Sequence, residues 1–419
     1  MTNDYDVVVV GAGYGGVMAA LRLAGKGRKH RFRVALINPR KHFVERLRLH
    51  ETVRPDTDTQ LRSFCLQTLC GKQGISFYPG QVTRIDREAL AITVDQGDIG
   101  SCTLNYQRLV LATGSSAAAP DLRGANHHCY VMDSNAERGP AALQRAIGNL
   151  SAPRINIVGG GTTGIELAAE LAQHPGADVH LVTTEKVGKA LHPRVGDHVR
   201  RTLLRKGVRL HEHTPVKEVF GEQIETDRGT LPHDIVIAAS GFSTFNQWPG
   251  LDLNRASNGR ICTDPFLRAP QDKRIFVVGD AALPDLQKTQ GSAPARMSVF
   301  FALASGAHAA DVILDERAGR VPRRFAYWTY GQAVGLGDEA IGYGTMRFDQ
   351  AYRPFFVGKT GAAMRRFFIS VLYQLIMLQA RWPSLPFFLG RPLRGAGRLW
   401  QPAAQTLGKE KTEAKLGAD

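Results

Sequence analysis

Two glycine-rich turns are the stretches of this sequence best suited to chemistry. The first is GAGYGG at residues 11–16, where Gly11, Gly13 and Gly16 form a GxGxxG pattern, and the second is GGGTTG at 159–164. The first glycine permits a tight turn, the second lets the backbone approach a bound group, and the third lets helix and strand pack closely. A following helix offers free N–H groups and its positive dipole end to a pyrophosphate. Each turn therefore predicts a dinucleotide site.

The elements around these turns support that prediction. A β-branched run at residues 7–10 precedes the first turn, apolar residues at helical spacing follow at 17–23, and a second strand is predicted at 33–37. The second turn lies between the strand INIV and the helical run IELAAELAQ, and the strand DVHLVTT follows. Three more predicted strands end in YQRLVLATG, HDIVIAASG and KRIFVVGD. A glycine turn between a strand and a helix is a far more specific signal than glycine spacing alone.

These five motifs, in this order, resemble the two-dinucleotide-binding flavoprotein superfamily, the pyridine nucleotide–disulfide oxidoreductase-like enzymes, over residues 5–313. The resemblance implies an α/β fold with two Rossmann-like dinucleotide-binding domains. An FAD-binding domain is expected at residues 1–118 and 245–325, and an NAD(P)H-binding domain inserted at 119–244 splits it. A C-terminal region, interfacial or membrane-associating, is expected at 326–401.

The resemblance also implies where FAD binds. The first turn would hold its pyrophosphate, Asp280 its ribityl chain or pyrophosphate region, and the Val82 backbone its adenine. Asn38 occupies the position where the family more often has an acid for the ribose; its amide is a neutral hydrogen-bond partner. Arg40 could stack on adenine or reach a phosphate. The residues expected to contact FAD are Gly11, Gly13, Tyr14, Gly15, Gly16, Asn38, Arg40, Arg46, Val82, Ala112, Thr113, Gly114, Gly279, Asp280, Arg296, Met297 and Ser298.

The second turn is expected to bind NAD(P)H, through Gly159, Gly161, Thr162, Thr163, Gly164, Glu185 and Gly241. In related enzymes a glutamate at the position of Glu166 lies where nicotinamide meets flavin, so Glu166 is the leading catalytic candidate, with His50 as a second. An acid in the first helical turn, complementing the helix dipole, is the alternative interpretation of Glu166. Glu185 could bind a ribose 2′-hydroxyl, whereas nearby lysines could bind a 2′-phosphate; the pattern favours NADH.

Disulfide reductases of the superfamily pass electrons to a CxxxxC pair, and Cys65 and Cys70 have this spacing. The family pair follows the second strand more closely, where FVERLRLHE (43–51) lies here. A helix is predicted at 59–69, and residues five apart on a helix point ~140° away from each other. The two cysteines are therefore predicted to be buried and structural. No metal-ligand spacing occurs, so no metal is expected.

Without a dithiol the chain resembles the type II NADH dehydrogenase branch, which implies an FAD-dependent NAD(P)H:acceptor oxidoreductase with a quinone as acceptor. Phe300 and Ala304 stand where that branch usually has glutamines, and Arg296, Met297 and Ser298 are predicted to begin that helix. Two alternatives stay open: a cytosolic tailoring or redox-partner oxidoreductase acting on a small molecule, and an NADH-sensing flavoprotein similar to apoptosis-inducing factor.

The charge pattern bears on partners and location. The chain has 53 Lys and Arg against 38 Asp and Glu, a net charge of +15 that favours an anionic partner. No nucleic-acid recognition motif is present, so nucleic acid is not expected. The apolar run at 367–378 is flanked by arginines; it is predicted to be too short to span a bilayer and suited to an anionic membrane surface. A buried helix and a homodimer contact are the alternatives. With no signal-peptide pattern, a cytoplasmic location is expected, and peripheral attachment to the inner face of the membrane stays open. Residues 402–419 are expected to be disordered.

Overall fold

The computed structural model describes residues 3–28, 32–117, 122–244, 248–249, 251–285, 295–326, 332–347 and 350–382, without the side chains of 344–347 and 350–355. The predicted disordered tail lies outside these residues, as do the apolar residues after 382. The predicted domain boundaries near 118 and 245 fall at two of the gaps, so they stay predictions.

Helices and strands alternate along most of the described chain. The helices are α1 Tyr14–Gly27, α2 Leu66–Gln73, α3 Ala125–His128, α4 Pro140–Gly148, α5 Thr162–Leu171, α6 Pro193–Arg205, α7 Val299–Arg317 and α8 Gly358–Arg381. The strands are β1 Asp4–Val10, β2 Val34–Asn38, β3 Ser76–Pro79, β4 Gln81–Asp86, β5 Ala91–Asp95, β6 Ser101–Leu111, β7 Ser116–Ala117, β8 Tyr130–Val131, β9 Arg154–Val158, β10 Asp178–Val182, β11 Arg209–His211, β12 Val216–Val219, β13 Gln223–Thr226, β14 Gly229–Pro232, β15 Ile235–Ala238, β16 Phe242–Ser243, β17 Ile261–Thr263, β18 Arg268–Ala269, β19 Asp272–Val277, β20 Ala282–Pro284, β21 Gln332–Leu336, β22 Glu339–Arg347 and β23 Gln350–Phe356. Short 3-10 helices occur at Arg46–Thr52, Gly97–Ile99 and Gly279–Ala281.

The first sheet joins strands from both ends of the chain. Its main path is β18-β19-β6-β1-β2-β3, parallel from β19 to β3, and the antiparallel pair β4–β5 extends from β6. Strands β1 and β2 are almost completely buried, as expected of parallel strands covered on both faces. Helices α1 and α7 pack closely, because a Cβ at Gly306 would lie only 2.2 Å from the Gly15 carbonyl oxygen.

The second sheet comes from the middle of the chain. It is parallel in the order β11-β10-β9-β15-β8 and carries the second glycine turn between β9 and α5. Strands β7 and β16 pair with each other where the chain leaves and re-enters the first unit. The predicted α/β class with two dinucleotide-binding units is therefore confirmed.

The C-terminal part is a three-stranded antiparallel sheet, β21–β23, followed by the long helix α8. Arg22 of α1, only 2% exposed, holds α8 against the first unit. Its guanidinium donates to Asp311 of α7 at 2.8 Å and to Gln379 of α8 at 3.2 Å. A buried cation with partners on two other helices fixes the orientation of all three.

Two predictions about helices are wrong. The helix predicted at 59–69 begins only at Leu66, because the backbone of Cys65 is extended at the helix N-cap. The apolar run at 367–378 belongs to a longer helix: α8 has 24 residues and is the one helix of the described chain long and apolar enough to cross a membrane. In the most apolar 18-residue stretch of α8, only 22% is buried. Length and composition alone do not show that a helix spans a bilayer.

Candidate active site and cofactor sites

The first glycine turn has the shape that a pyrophosphate requires. Gly11 has φ +99°, and a Cβ there would lie 2.4 Å from the Ala112 oxygen; a Cβ at Gly16 would lie 1.8 Å from the Gly11 oxygen. Gly13 differs, since no atom lies within 4 Å of its Cβ position. No side chain caps the start of α1 and no acid stands in its first turn. An anion therefore has both space and free N–H donors there.

The second turn repeats this geometry with different neighbours. Gly159 has φ +125° and packs against Ala239, a Cβ at Gly164 would lie 1.9 Å from the Gly159 oxygen, and the Cβ position of Gly161 is open. Helix α5 begins at Thr162 and continues through Thr163, again without a side-chain cap. Gly241, at φ +136°, also has open space at its Cβ position, after the neighbouring strand. The residues predicted for NAD(P)H thus follow the carboxyl ends of β9, β10 and β15, which lie at one edge of the second sheet.

The side chain of Asn38 holds the first glycine turn in place through hydrogen bonds. Its Oδ1 accepts a hydrogen bond from the Ala12 N–H at 3.0 Å, and its Nδ2 donates to the Arg40 carbonyl at 2.8 Å. Arg40 donates to Ser134 and Asn135, across to the segment that follows β8. The side chain predicted to contact a ribose thus also holds the glycine loop and the next turn in shape.

Asp280 lies at the carboxyl end of β19, beside the first turn. Its Oδ2 accepts from the Ser115 hydroxyl at 2.7 Å. Burial of this carboxyl raises its pKa. The hydrogen bond from Ser115 and the charges of Arg46 and Arg260 lower the pKa but do not cancel the rise. Arg46 also donates to the Ser115 carbonyl at 2.5 Å. This polar edge of the first sheet is therefore ready to bind the hydroxyl groups of a cofactor.

Sequence reasoning missed two supports of this edge. Arg260, only 5% exposed, donates to the carbonyls of Asp280, Ala282 and Ala295 and so links the edge of the first sheet to Ala295, shortly before α7. Trp248 donates from its indole to the Val82 carbonyl at 2.9 Å, which leaves that oxygen already engaged. Neither residue belongs to a recognisable motif, so only the folded chain brings them to the site.

The remaining residues predicted for FAD surround the same edge. Ala112 is buried under Gly11, Gly114 has φ +68° with open space at its Cβ position, and Thr113 lies between them. Tyr14 is buried against Phe43, and Gly279 has φ +65° at the end of β19. The prediction for the start of α7 is partly wrong: Arg296 and Met297 precede the helix, and Ser298 caps it by accepting from the Phe301 N–H.

Glu166 is held by an arginine from the far end of the chain. Its Oε1 accepts from Arg365 of α8 and from the Gly335 N–H, each at 2.9 Å. Arg365 also donates to Glu51 Oε1 at 3.1 Å. The interpretation of Glu166 as an acid in the first helical turn is wrong, because it is the fifth residue of α5. Its carboxylate joins the second unit, α8 and the 3-10 helix at 46–52.

This contact is one end of an ion-pair network through the stretch 43–51. Arg48 contacts Glu51 at 2.8 Å and Glu45 at 3.9 Å, and Arg62 lies 3.8 Å from Glu45 Oε1. Glu45 is fully buried. Charges of opposite sign thus alternate from Arg62 through Glu45, Arg48, Glu51 and Arg365 to Glu166. The network fills the region where disulfide reductases of this superfamily are expected to carry their cysteines.

His50 is the second predicted catalytic residue. It is buried, with Nδ1 3.8 Å from Glu166 Oε2 and Nε2 3.5 Å from the Arg365 guanidinium. Burial lowers the pKa of His50; the charge of Glu166 opposes this effect and that of Arg365 adds to it. A neutral imidazole beside the free oxygen of Glu166 can both accept and donate a proton.

The two cysteines with redox-pair spacing have different environments. Cys70 is buried, and burial raises the pKa of its thiol to about 12. Cys65 is partly exposed at the start of α2, where hydrogen bonding to Thr68 lowers its pKa. The prediction that both are buried is wrong for Cys65. A buried thiol of high pKa is a poor nucleophile, so the pair is ill suited to thiol–disulfide exchange.

Residues after β10 bear on the choice of nucleotide. Thr183 is buried, and its hydroxyl accepts from the Glu185 N–H at 3.3 Å. Lys189 forms an ion pair with Glu185 at 2.5 Å, and Lys186 with Asp197 at 3.4 Å. Both lysines therefore already have an acidic partner at the surface that follows β10.

The fold and the two open helix starts define a class: a flavoprotein with one unit for FAD and a second for a nicotinamide nucleotide. Residues 5–306 match the pyridine nucleotide-disulphide oxidoreductase family, so the chain belongs to that family. It is an FAD-dependent NAD(P)H oxidoreductase, and the predicted superfamily and cofactors are confirmed.

Two relatives and one solved structure are similar to this chain. It is 25% identical over 290 residues to demethylphylloquinone reductase NdbB of Synechocystis sp., covering 66% of this chain and 71% of the relative. It is also 25% identical to a type II NADH:quinone oxidoreductase of Haemophilus influenzae, over 66% of this chain and 73% of the relative. NDH2 from Plasmodium falciparum, solved in complex with NADH, superposes with a TM-score of 0.71 at 14% identity, over 90% and 98% of the two chains.

Proposed function

We propose that the protein is an NADH:quinone oxidoreductase that works at a membrane surface. The observation that carries the proposal is the ion-pair network from Arg62 to Glu166, which occupies the region expected for a redox disulfide. With no thiol carrier in that region, FAD held by the first unit would supply electrons directly to an external acceptor. The names of two relatives, a demethylphylloquinone reductase and an NADH:quinone oxidoreductase, support a quinone.

The residues divide the work between two sites. FAD, when bound, supplies the two-electron carrier chemistry. The open backbone at Gly13 and the start of α1 would hold its pyrophosphate, and Asp280 with Ser115 would bind its hydroxyl groups. Gly161 and the start of α5 would hold the nicotinamide nucleotide and place its ring toward Glu166. Orientation of the two rings is the main task of the protein in hydride transfer.

NADH is proposed as the preferred nucleotide. A 2′-phosphate needs free cations, whereas Lys186 and Lys189 are each paired with an acid. Glu185 is half exposed and stands two residues after Thr183, so its second oxygen can accept from a ribose 2′-hydroxyl.

Helix α8 is proposed to attach the protein to the membrane. Met364, Phe367, Phe368 and Val371 are exposed at helical spacing on one face, and Trp382 is exposed at the end of the helix. Arg366 and Arg381 are also exposed on α8 and add positive charge to the helix, which suits an anionic lipid surface.

A two-step anaerobic experiment tests the proposed function. The purified flavoprotein is reduced with one equivalent of NADH or NADPH and then mixed with a soluble quinone, with ferricyanide or with an aromatic disulfide. We expect faster reduction by NADH and rapid reoxidation by quinone. Rapid reoxidation by the disulfide and none by quinone would refute the proposal, and very slow reoxidation by every acceptor would favour a signalling flavoprotein.

A further inference from the structure

A cavity of about 190 Å³ opens beside the ion-pair network, where α5, α8, the 3-10 helix at 46–52 and the β21–β22 turn meet. Charged and polar side chains dominate its walls, with alanine and glycine as the apolar contribution. Its ionisable lining includes His50, Glu51, Glu170, Glu339 and Arg365. A quinone ring needs apolar or aromatic walls, so this cavity suits water and protons better than an acceptor.

The cavity reaches Glu166 through one layer of side chains. Arg365 and His50 line it and also lie 2.9 Å and 3.8 Å from the Glu166 carboxylate. Glu170 follows Glu166 by four residues on α5 and therefore lies on the same side of that helix. Since Glu166 Oε1 accepts two hydrogen bonds, the Oε2 facing His50 is the oxygen available for a proton.

Glu170 is the acid of the cavity best able to exchange a proton near neutral pH. Burial raises its pKa to about 7; the charge of Glu51 adds to the rise, whereas Arg54 and Arg365 oppose it. Its contact with Arg54 is long, at 3.5 Å, because Arg54 pairs more closely with Asp56.

The two acids of the neighbouring turn differ from Glu170 in their pairing. Both oxygens of Glu339 accept from Arg205 at 2.9 Å, and Asp338 pairs with Lys206. Each of these carboxylates therefore has a full cationic partner.

Quinone reduction creates a demand for a proton. A quinone takes up two electrons and two protons to become a quinol, and NADH delivers two electrons with one proton as a hydride. The second proton must come from water. We propose that this cavity is the proton intake of quinone reduction: Glu170 takes a proton from cavity water and passes it through water and the His50 imidazole to Glu166 Oε2, which gives it to the acceptor. One proton enters for each quinol formed, no electron moves along this path, and the inference rests on the proposed function.

The test is the variant Glu170→Gln, with Glu339→Gln as the matched control from the same cavity. Reoxidation of the reduced protein is followed by stopped flow with a soluble quinone and with ferricyanide, which accepts electrons without protons. In Glu170→Gln we expect the ratio of the quinone rate to the ferricyanide rate to fall about tenfold. This factor is smaller than the usual contribution of a positioned acid to the rate. The decline of the quinone rate above pH of about 7 should also disappear. Glu170→Asp, which keeps a carboxyl group, should recover part of the ratio.

A second readout needs no turnover. Infrared titration of the cofactor-free protein should show a protonated carboxyl band, missing in Glu170→Gln, that disappears with a midpoint near pH 7. A midpoint near the ordinary pKa of a glutamic acid, or a Glu170→Gln variant with an unchanged rate ratio and pH profile, would overturn the inference alone. Absence of quinone reduction in the unaltered protein would overturn the proposed function and this inference with it.

Discussion

Replacement of Arg365 by methionine tests whether the ion-pair network holds α8 in place. The change leaves two carboxylates, Glu51 and Glu166, without their shared cation. Loss of one partner from a buried ion pair costs about 3–5 kcal/mol. The Arg365 side chain is 10% exposed and those of its partners 17% and 13%, so water compensates in part. We therefore expect a loss at the lower end of that range, about 3 kcal/mol.

Hydrogen exchange of α8 is the suitable assay, because a chain with several packed units does not unfold in one step. A loss of about 3 kcal/mol in local stability corresponds to roughly 100-fold faster amide exchange in α8. Arg366→Met is the matched control: the neighbouring arginine is exposed, and its replacement should change exchange only slightly.

Adding Glu166→Gln to Arg365→Met should restore part of the protection, since one of the two unpaired charges is then absent. Equal exchange in Arg365→Met and Arg366→Met would refute the role given to the network. A double variant less protected than Arg365→Met would show that the contacts of Glu166 with Gly335 and His50 outweigh the cost of its unpaired charge.

Three further predictions concern the cofactor turn, the surface of α8 and the pH dependence of stability. Gly13→Ala should leave the fold intact but weaken FAD binding at least tenfold, as measured by flavin fluorescence, because the added Cβ would enter only the space proposed for the pyrophosphate. Gly16→Ala is the contrasting variant. Its Cβ would lie 1.8 Å from a backbone oxygen, so this change should prevent stable folding. Phe367→Ser should weaken binding to anionic vesicles by about 2 kcal/mol, roughly 30-fold, in a sedimentation assay, whereas Val321→Ser, also highly exposed but outside α8, should not. Burial opposes ionisation of Asp311, but its contacts with the two cations of α1 outweigh that effect and lower its pKa. Its stabilising contribution is then present above pH of about 3.8 and is lost as the pH falls through the lowered pKa, so the amide exchange rates of α1 and α7 in the protein and in Asp311→Asn should converge in acid; a constant difference would contradict this.

The parts of the molecule that depend on local pattern could be predicted from the sequence. Gly11 and Gly159 mark turns that only glycine can make, because each combines a positive φ with a close backbone contact. The β-branched runs before them become the buried strands β1 and β9. The order of the motifs then implies how the two parallel sheets divide the chain.

The site depended on contacts that no local pattern encodes. Arg365 and Glu166 are separated by 199 residues, and the pairing of their charges follows only from the packing of α8. Arg260 and Trp248 support the edge of the first sheet through backbone carbonyls, which any sequence offers. The start of α2 could not be predicted because the segment before it, although polar and compatible with a helix, is instead held by contacts such as the bridge between His42 and Cys65.

The stretch 43–51 carries the clearest consequence for function. By sequence alone, the charged residues of this stretch suggest a departure from the nucleotide motif. Asn38, just before the stretch, suggests a weakened contact with the ribose. In the structure Asn38 supports the glycine turn, and Glu45, Arg48 and Glu51 link the first unit to Glu166 through Arg365. The region therefore provides ionic structure where related enzymes are expected to have redox cysteines.

An anaerobic reductive titration tests this claim most directly. The oxidised protein is titrated with dithionite in the absence of nucleotide, and the electrons taken up per FAD are counted from the flavin absorbance. If the flavin is the only redox carrier, uptake ends at two electrons per FAD, and Cys65→Ser leaves the value unchanged. Uptake of four electrons per FAD, falling to two in Cys65→Ser, would reveal a redox-active disulfide and contradict direct transfer from flavin to acceptor.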